Sequence, residues 1–148
     1  MRVKKYILKS IPVDVIMETE IMTSSRESAT LLRNIYEEEN LDINCVESFI
    51  AIFVDVKNHM KGYAVISTGG VNTVLVDPRV IFKHAVSHLA SGIILGHNHP
   101  SQRTNPSKPD KQLTTKVVDG AKLLGMKVLD HIILTDEDYF SFKDEDLI

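Results

Sequence analysis

One segment constrains the fold more than any other. Residues Glu47 to Val56 read Glu-Ser-Phe-Ile-Ala-Ile-Phe-Val-Asp-Val. Side chains alternate across an extended chain. Phe49, Ala51 and Phe53 therefore line one face, and Ile50, Ile52 and Val54 the other. A strand apolar on both faces belongs in the middle of a sheet that is covered on both sides. The remaining chain must then supply helices for two covering layers, which selects an α/β architecture. Its 148 residues suit one ordinary domain. Hydrophobic residues make up 43%, enough for a core on each side of the sheet.

The helices announce themselves by their ends. Ser24-Ser-Arg-Glu27 has the form of a capping box and opens a helix over residues 25–38, with Leu31, Leu32 and Ile35 inward. Glu37, Glu38 and Glu39 lie at the end of the dipole that disfavours acids. Asp77-Pro78 pairs an N-cap with proline at the first helical position. That helix runs to about Ala90, with Ile81, Ala85 and Leu89 on one stripe. A third begins near Pro109, carries Leu113, Val117, Ala121 and Leu124 on one face, and stops at Gly125. Further strands read as Tyr63–Ser67, Val71–Val76, Ile93–Gly96, Lys127–Thr135 and Tyr139–Phe142. Residues 1–20 form an N-terminal extension containing the extended piece Tyr6–Ile11. The expected fold is a mixed, curved β-sheet flanked by helices.

Several function classes drop out. Cys45 is the single cysteine, so an intramolecular disulfide and a cysteine-based zinc finger are excluded. It has no adjacent cation to lower its pKa and reads as a packing residue. The formal charge of −3 has the wrong sign for a nucleic-acid coat. No apolar run spans a membrane. The basic N-terminus lacks an apolar stretch of signal-peptide type, so a cytoplasmic location is expected.

The chemistry gathers in fourteen residues, from His97 to Asp110. His97 and His99 are two apart at a strand end, which puts both side chains on the same face. Asp110 follows one loop later, in the first turn of a helix. Two imidazoles and a carboxylate leave a fourth position open, the layout of a catalytic zinc. Ser107-x-x-Asp110 is also an ordinary helix start, with serine as N-cap and an acid in the first turn. The two readings are compatible, because a cap fixes both residues in place. His84 and His88 are four apart on a helix, a spacing that can bind metal, but no glutamate lies beside them as in His-Glu-x-x-His; with His59 and His131 they read as surface or packing residues. Glu47 is the only acid at the start of the doubly apolar strand. If that strand runs antiparallel beside Ile93–Gly96, Glu47 lies near His97; otherwise it is a solvated strand-end charge.

These residues carry a family resemblance. His97-Asn-His-Pro-Ser101 followed by Asn105-Pro-Ser-Lys-Pro-Asp110 resembles the JAMM (MPN+) motif, and most closely its RadC-type branch. Asp77-Pro-Arg79, Leu123-Leu-Gly-Met-Lys-Val-Leu-Asp-His-Ile-Ile133 and Tyr139-Phe-Ser-Phe142 are similar to further segments of that branch. The likeness covers roughly Ile21 to Leu147, within an expected domain of residues 21–148. It implies a JAMM/MPN-like fold with cytidine-deaminase-like layering, zinc held by His97, His99 and Asp110, Ser107 steadying an oxyanion, and Glu47 as the upstream glutamate. Gln102 departs from the glycine usual in the branch, at a place where glycine would permit positive φ.

The function implied is a zinc-dependent metallopeptidase or isopeptidase-like hydrolase. Glu47 is the general base and the substrate a peptide or protein. A DNA-repair or recombination accessory role is the alternative that the RadC likeness implies. Residues 101–127 hold six basic residues against two acids. That excess suits a phosphate or an acidic peptide, or is a solvated helix face. The negative net charge does not support DNA as a partner.

Overall fold

The computed structural model describes residues 21–69 and 76–148. The extended piece Tyr6–Ile11 and residues 71–75 of the expected strand Val71–Val76 lie outside them. The described elements are α1 (Ser25–Glu38), β1 (Glu47–Val54), β2 (Met60–Gly69), α2 (Pro78–Ser87), β3 (Gly92–Asn98), α3 (Lys108–Leu123), β4 (Lys127–Leu134) and β5 (Tyr139–Ser141). The strands form one mixed sheet in the order β2-β1-β3-β4-β5. β1 runs antiparallel to β2 and β3, β3 parallel to β4, and β4 antiparallel to β5.

The doubly apolar strand sits where its pattern requires. Ile50, Ile52 and Val54 pack under α1 with Leu31, Leu32, Ile35, Ile94, Ile132 and Leu134. Phe49, Ala51 and Phe53 pack on the opposite face with Ile81 and Ala85 of α2 and Val117 and Ala121 of α3. The result is a three-layer α/β sandwich with a core on each side of the sheet. Each fully buried leucine or isoleucine contributes roughly 1.5–3 kcal/mol to the folded state. Gly96 permits the close approach of α1. A Cβ there would collide with the side chain of Leu32, which is itself fully buried. Among the described residues, no helix is long and apolar enough to cross a membrane.

The capping signals hold in detail. Ser24 and Glu27 form a complete capping box on α1, and Asp77 caps α2 ahead of Pro78. Leu89 departs from expectation. It is 78% exposed, with φ of 48°. The Ala90 N–H donates to Ala85 O and the Leu89 N–H to Val86 O. This is a Schellman ending, with Leu89 at the left-handed position. The chain has left the helix before Leu89, which therefore turns away from the Ile81–Ala85 stripe. Leu124 likewise lies past the end of α3 and is 49% exposed.

Candidate metal centre

β3 is buried along its whole length and delivers His97 at its carboxyl end. Such ends are where open α/β sheets place their ligands. Phe49 pairs with His97 across the antiparallel ladder, and the two rings stack with centroids 5.6 Å apart. His99 follows the strand, its N–H donating to Leu134 O at 2.9 Å. Asp110 comes from the first turn of α3. Its backbone N–H donates to Ser107 Oγ at 3.2 Å, while its Oδ2 accepts from the Ser107 N–H at 2.6 Å. The same capping box that starts α3 therefore fixes the carboxylate.

The three side chains converge. His97 Nε2 lies 3.0 Å from His99 Nε2 and 3.3 Å from Asp110 Oδ1, and His99 Nε2 lies 3.4 Å from Asp110 Oδ2. Ligands at about 2.0–2.1 Å from a tetrahedral zinc stand about 3.3 Å from one another, so this donor set fits such an ion. The proton on His99 is also placed. Its Nδ1 lies 2.7 Å from Arg103 O, and a carbonyl can only accept. Nδ1 therefore carries the hydrogen, and in the neutral ring Nε2 offers a lone pair. Burial lowers the pKa of His99, but the Asp110 and Arg103 hydrogen bonds outweigh that and leave it raised. Burial likewise opposes ionisation of Asp110. Hydrogen bonds from His97 and His99 prevail and hold its carboxyl well below the usual carboxylate range.

β1 brings Glu47 to the same place. Glu47 shares a strand face with Phe49, whose partner is His97. Glu47 is half-buried. Burial raises its pKa, opposed by the charges of His97 and His99 and assisted by that of Asp110, and the net shift is upward. Its backbone is fixed from behind by Asn98, the residue between the two histidines. Asn98 Nδ2 donates to Ile43 O at 2.8 Å and Val46 O at 2.9 Å, and Oδ1 accepts from the Ser48 N–H at 2.8 Å. The Tyr36 hydroxyl adds a bond to Oδ1 at 2.8 Å. Asn98 thus ties down both peptide neighbours of Glu47.

Other residues stand apart from their sequence reading. Cys45 is exposed, not packed. It lies in the loop between α1 and β1, and a hydrogen bond to Asp42 and that residue's charge raise its pKa, which makes it a poor nucleophile. His131 is no surface or simple packing residue. It is fully buried, its ring stacked on Phe142, and its Nε2 is 2.9 Å from His97 Nδ1. Burial pushes its pKa well down, and the charge of His97 adds to this. Its signal in the sequence was the Asp130-His131 pair interrupting an otherwise apolar strand. Gln102 takes φ of 61°, so the loop keeps a left-handed turn without glycine. Its side chain bonds Asn44 Oδ1 and the Asp136 N–H. His59 pairs with Asp55, and His88 stacks on Phe53, both away from the centre.

A three-layer α/β domain with a His-x-His and an aspartate converging at the end of a central strand is the arrangement of a JAB-type domain. Residues 22–147 match the family described as the RadC-like JAB domain, and the chain belongs to that family. It is 38% identical over 130 residues to a UPF0758 protein of Flavobacterium johnsoniae, covering 88% of this chain and 55% of that protein. It is 43% identical over 102 residues to a UPF0758 protein of Methanosarcina mazei, covering 69% of this chain and 44% of that one. A UPF0758 protein of Protochlamydia amoebophila is 38% identical over 128 residues, covering 86% and 53%. The chain thus spans about half the length of the curated relatives it matches.

Proposed function

We propose that this domain is a zinc-dependent hydrolase of amide bonds in a peptide or isopeptide substrate. The observation that carries the reading is the convergence of His97, His99 and Asp110 within 4.8 Å of one another, with a half-buried carboxylate, Glu47, on the adjoining strand. Zinc held by those three residues would polarise a scissile carbonyl and acidify a nearby water.

The chain's own residues supply the proton handling. Glu47 takes a proton from the attacking water and returns it to the leaving amine. In the metal-free protein its partial burial raises its pKa, toward the range in which a general base works best. Ser107 stabilises the developing oxyanion. Its oxygen accepts the Asp110 N–H in the cap, which leaves the hydroxyl hydrogen free to donate. A donor of this kind contributes about 3–4 kcal/mol in comparable sites.

The test is a screen of the zinc-loaded protein against a peptide library and isopeptide probes, followed by Glu47→Gln on any substrate cleaved. The expected loss is about 10²–10⁴-fold in rate with zinc content unchanged. Cleavage by Glu47→Gln at the wild-type rate would remove Glu47 as the base.

A further inference from the structure

A buried hydrogen-bond chain continues behind the metal centre. His97 Nδ1 lies 2.9 Å from His131 Nε2, and His131 Nδ1 lies 2.6 Å from Thr114 Oγ1. The Thr114 hydroxyl in turn donates to Asp110 O at 2.7 Å. Its three side chains are secluded: His97 and His131 are fully buried and Thr114 is 2% exposed. Water is therefore not available to reset the bonding.

The chain has a direction, and Thr114 sets it. A threonine hydroxyl has one hydrogen, and here it goes to the Asp110 carbonyl. The oxygen must then accept from His131, so the His131 hydrogen is on Nδ1. His131 lies against the rings of Phe49 and Phe142, where a second, charging proton is costly. Its Nε2 is therefore an acceptor, and His97 must donate from Nδ1. In the neutral ring that leaves the His97 Nε2 lone pair for an ion seated between His99 and Asp110. In the reverse setting His97 would carry its hydrogen on Nε2, and the ligand position would be blocked.

We infer that Thr114 and His131 are positioning residues that hold His97 in its metal-binding tautomer. Asp110 closes the loop, since its carbonyl anchors the relay while its carboxylate is a ligand candidate. His99 needs no such relay because Arg103 O fixes its ring directly. This inference rests on reading the three converging side chains as a metal centre.

Zinc affinity measured by chelator competition tests it, on the full chain as wild type, Thr114→Val and Thr114→Ser. Valine keeps the shape and removes the hydroxyl; serine restores it. Partners behind a ligating histidine are typically worth about 10–100-fold in metal affinity. Thr114→Val is expected to lose that much and Thr114→Ser to recover most of it. A folded Thr114→Val with wild-type affinity would overturn the relay while leaving the metal centre standing. Wild-type protein that takes no zinc would overturn both. Should Thr114→Val not fold, nitrogen-15 NMR of zinc-loaded wild type decides: a proton on His131 Nδ1 supports the relay, and one on Nε2 overturns it.

Discussion

His99 and Asn98 are chain neighbours with opposite duties, and their loss should be felt differently. His99 faces the proposed metal and is held by one carbonyl. Its raised pKa means that the metal-free folded protein keeps a proton there to higher pH than a free imidazole does. Zinc must displace that proton. The sign follows: protonation stabilises the metal-free form below the raised pKa, and that contribution is lost as pH rises through it. The rise in melting temperature on adding zinc should therefore be large near about pH 8 and shrink toward about pH 5.5, through the imidazole range. Calorimetry with and without zinc checks this, and a shift that grows in acid would contradict it. Asn98 points the other way, into the core, with all its polar atoms bonded. Removing them by Asn98→Ala strands several buried donors and acceptors at roughly 1–3 kcal/mol each. Chemical denaturation should show a loss of about 3 kcal/mol or more, with any zinc bound by the surviving fold unaffected in stoichiometry.

At the scale of elements, the three helices end alike. Asn40, Leu89 and Gly125 all take positive φ, and in each case the following N–H reaches back to the last turn, at Tyr36, Ala85 and Ala121. Asparagine and glycine tolerate that conformation; leucine pays about 1–2 kcal/mol for it. Leu89 is exposed, so glycine there forfeits little burial. Leu89→Gly should stabilise the fold by a few tenths to about 1 kcal/mol, the gain being reduced by the greater freedom of glycine in the unfolded chain. A urea midpoint that falls on substitution would contradict this. Periodicity alone placed Leu89 inward because it extends a stripe without knowing where the helix stops. The stop is set by a backbone conformation that no residue type at that position advertised. Ser24 and Ser107, by contrast, declared their helix starts through a side chain that bonds the backbone locally.

In the whole molecule, what was legible follows from how local the cause is. The central strand's double apolarity placed it in a covered sheet, and the antiparallel pairing with β3 that brings Glu47 toward His97 was foreseeable as a condition. The convergence of His97, His99 and Asp110 was legible because all three lie within one strand–loop–helix unit. His131 and Thr114 were not, since their roles arise only when β4 packs beside β3 and α3 covers both. Cys45 is exposed for a similar reason: being next to a buried strand says nothing of whether the preceding loop is covered. The three-layer packing also anchors the backbone that carries the site. Two of its ligand candidates sit at the end of a strand buried on both faces, and the third sits on a helix pinned to that sheet through Val117 and Ala121.

The most direct measurement is the metal content of protein purified without chelators, for wild type, Glu47→Gln and His99→Ala side by side. About one zinc per chain is expected in wild type and in Glu47→Gln, because a general base is not a ligand, and little or none in His99→Ala. Wild-type protein without stoichiometric metal, or His99→Ala retaining as much as wild type, would contradict a metal centre built on His97, His99 and Asp110.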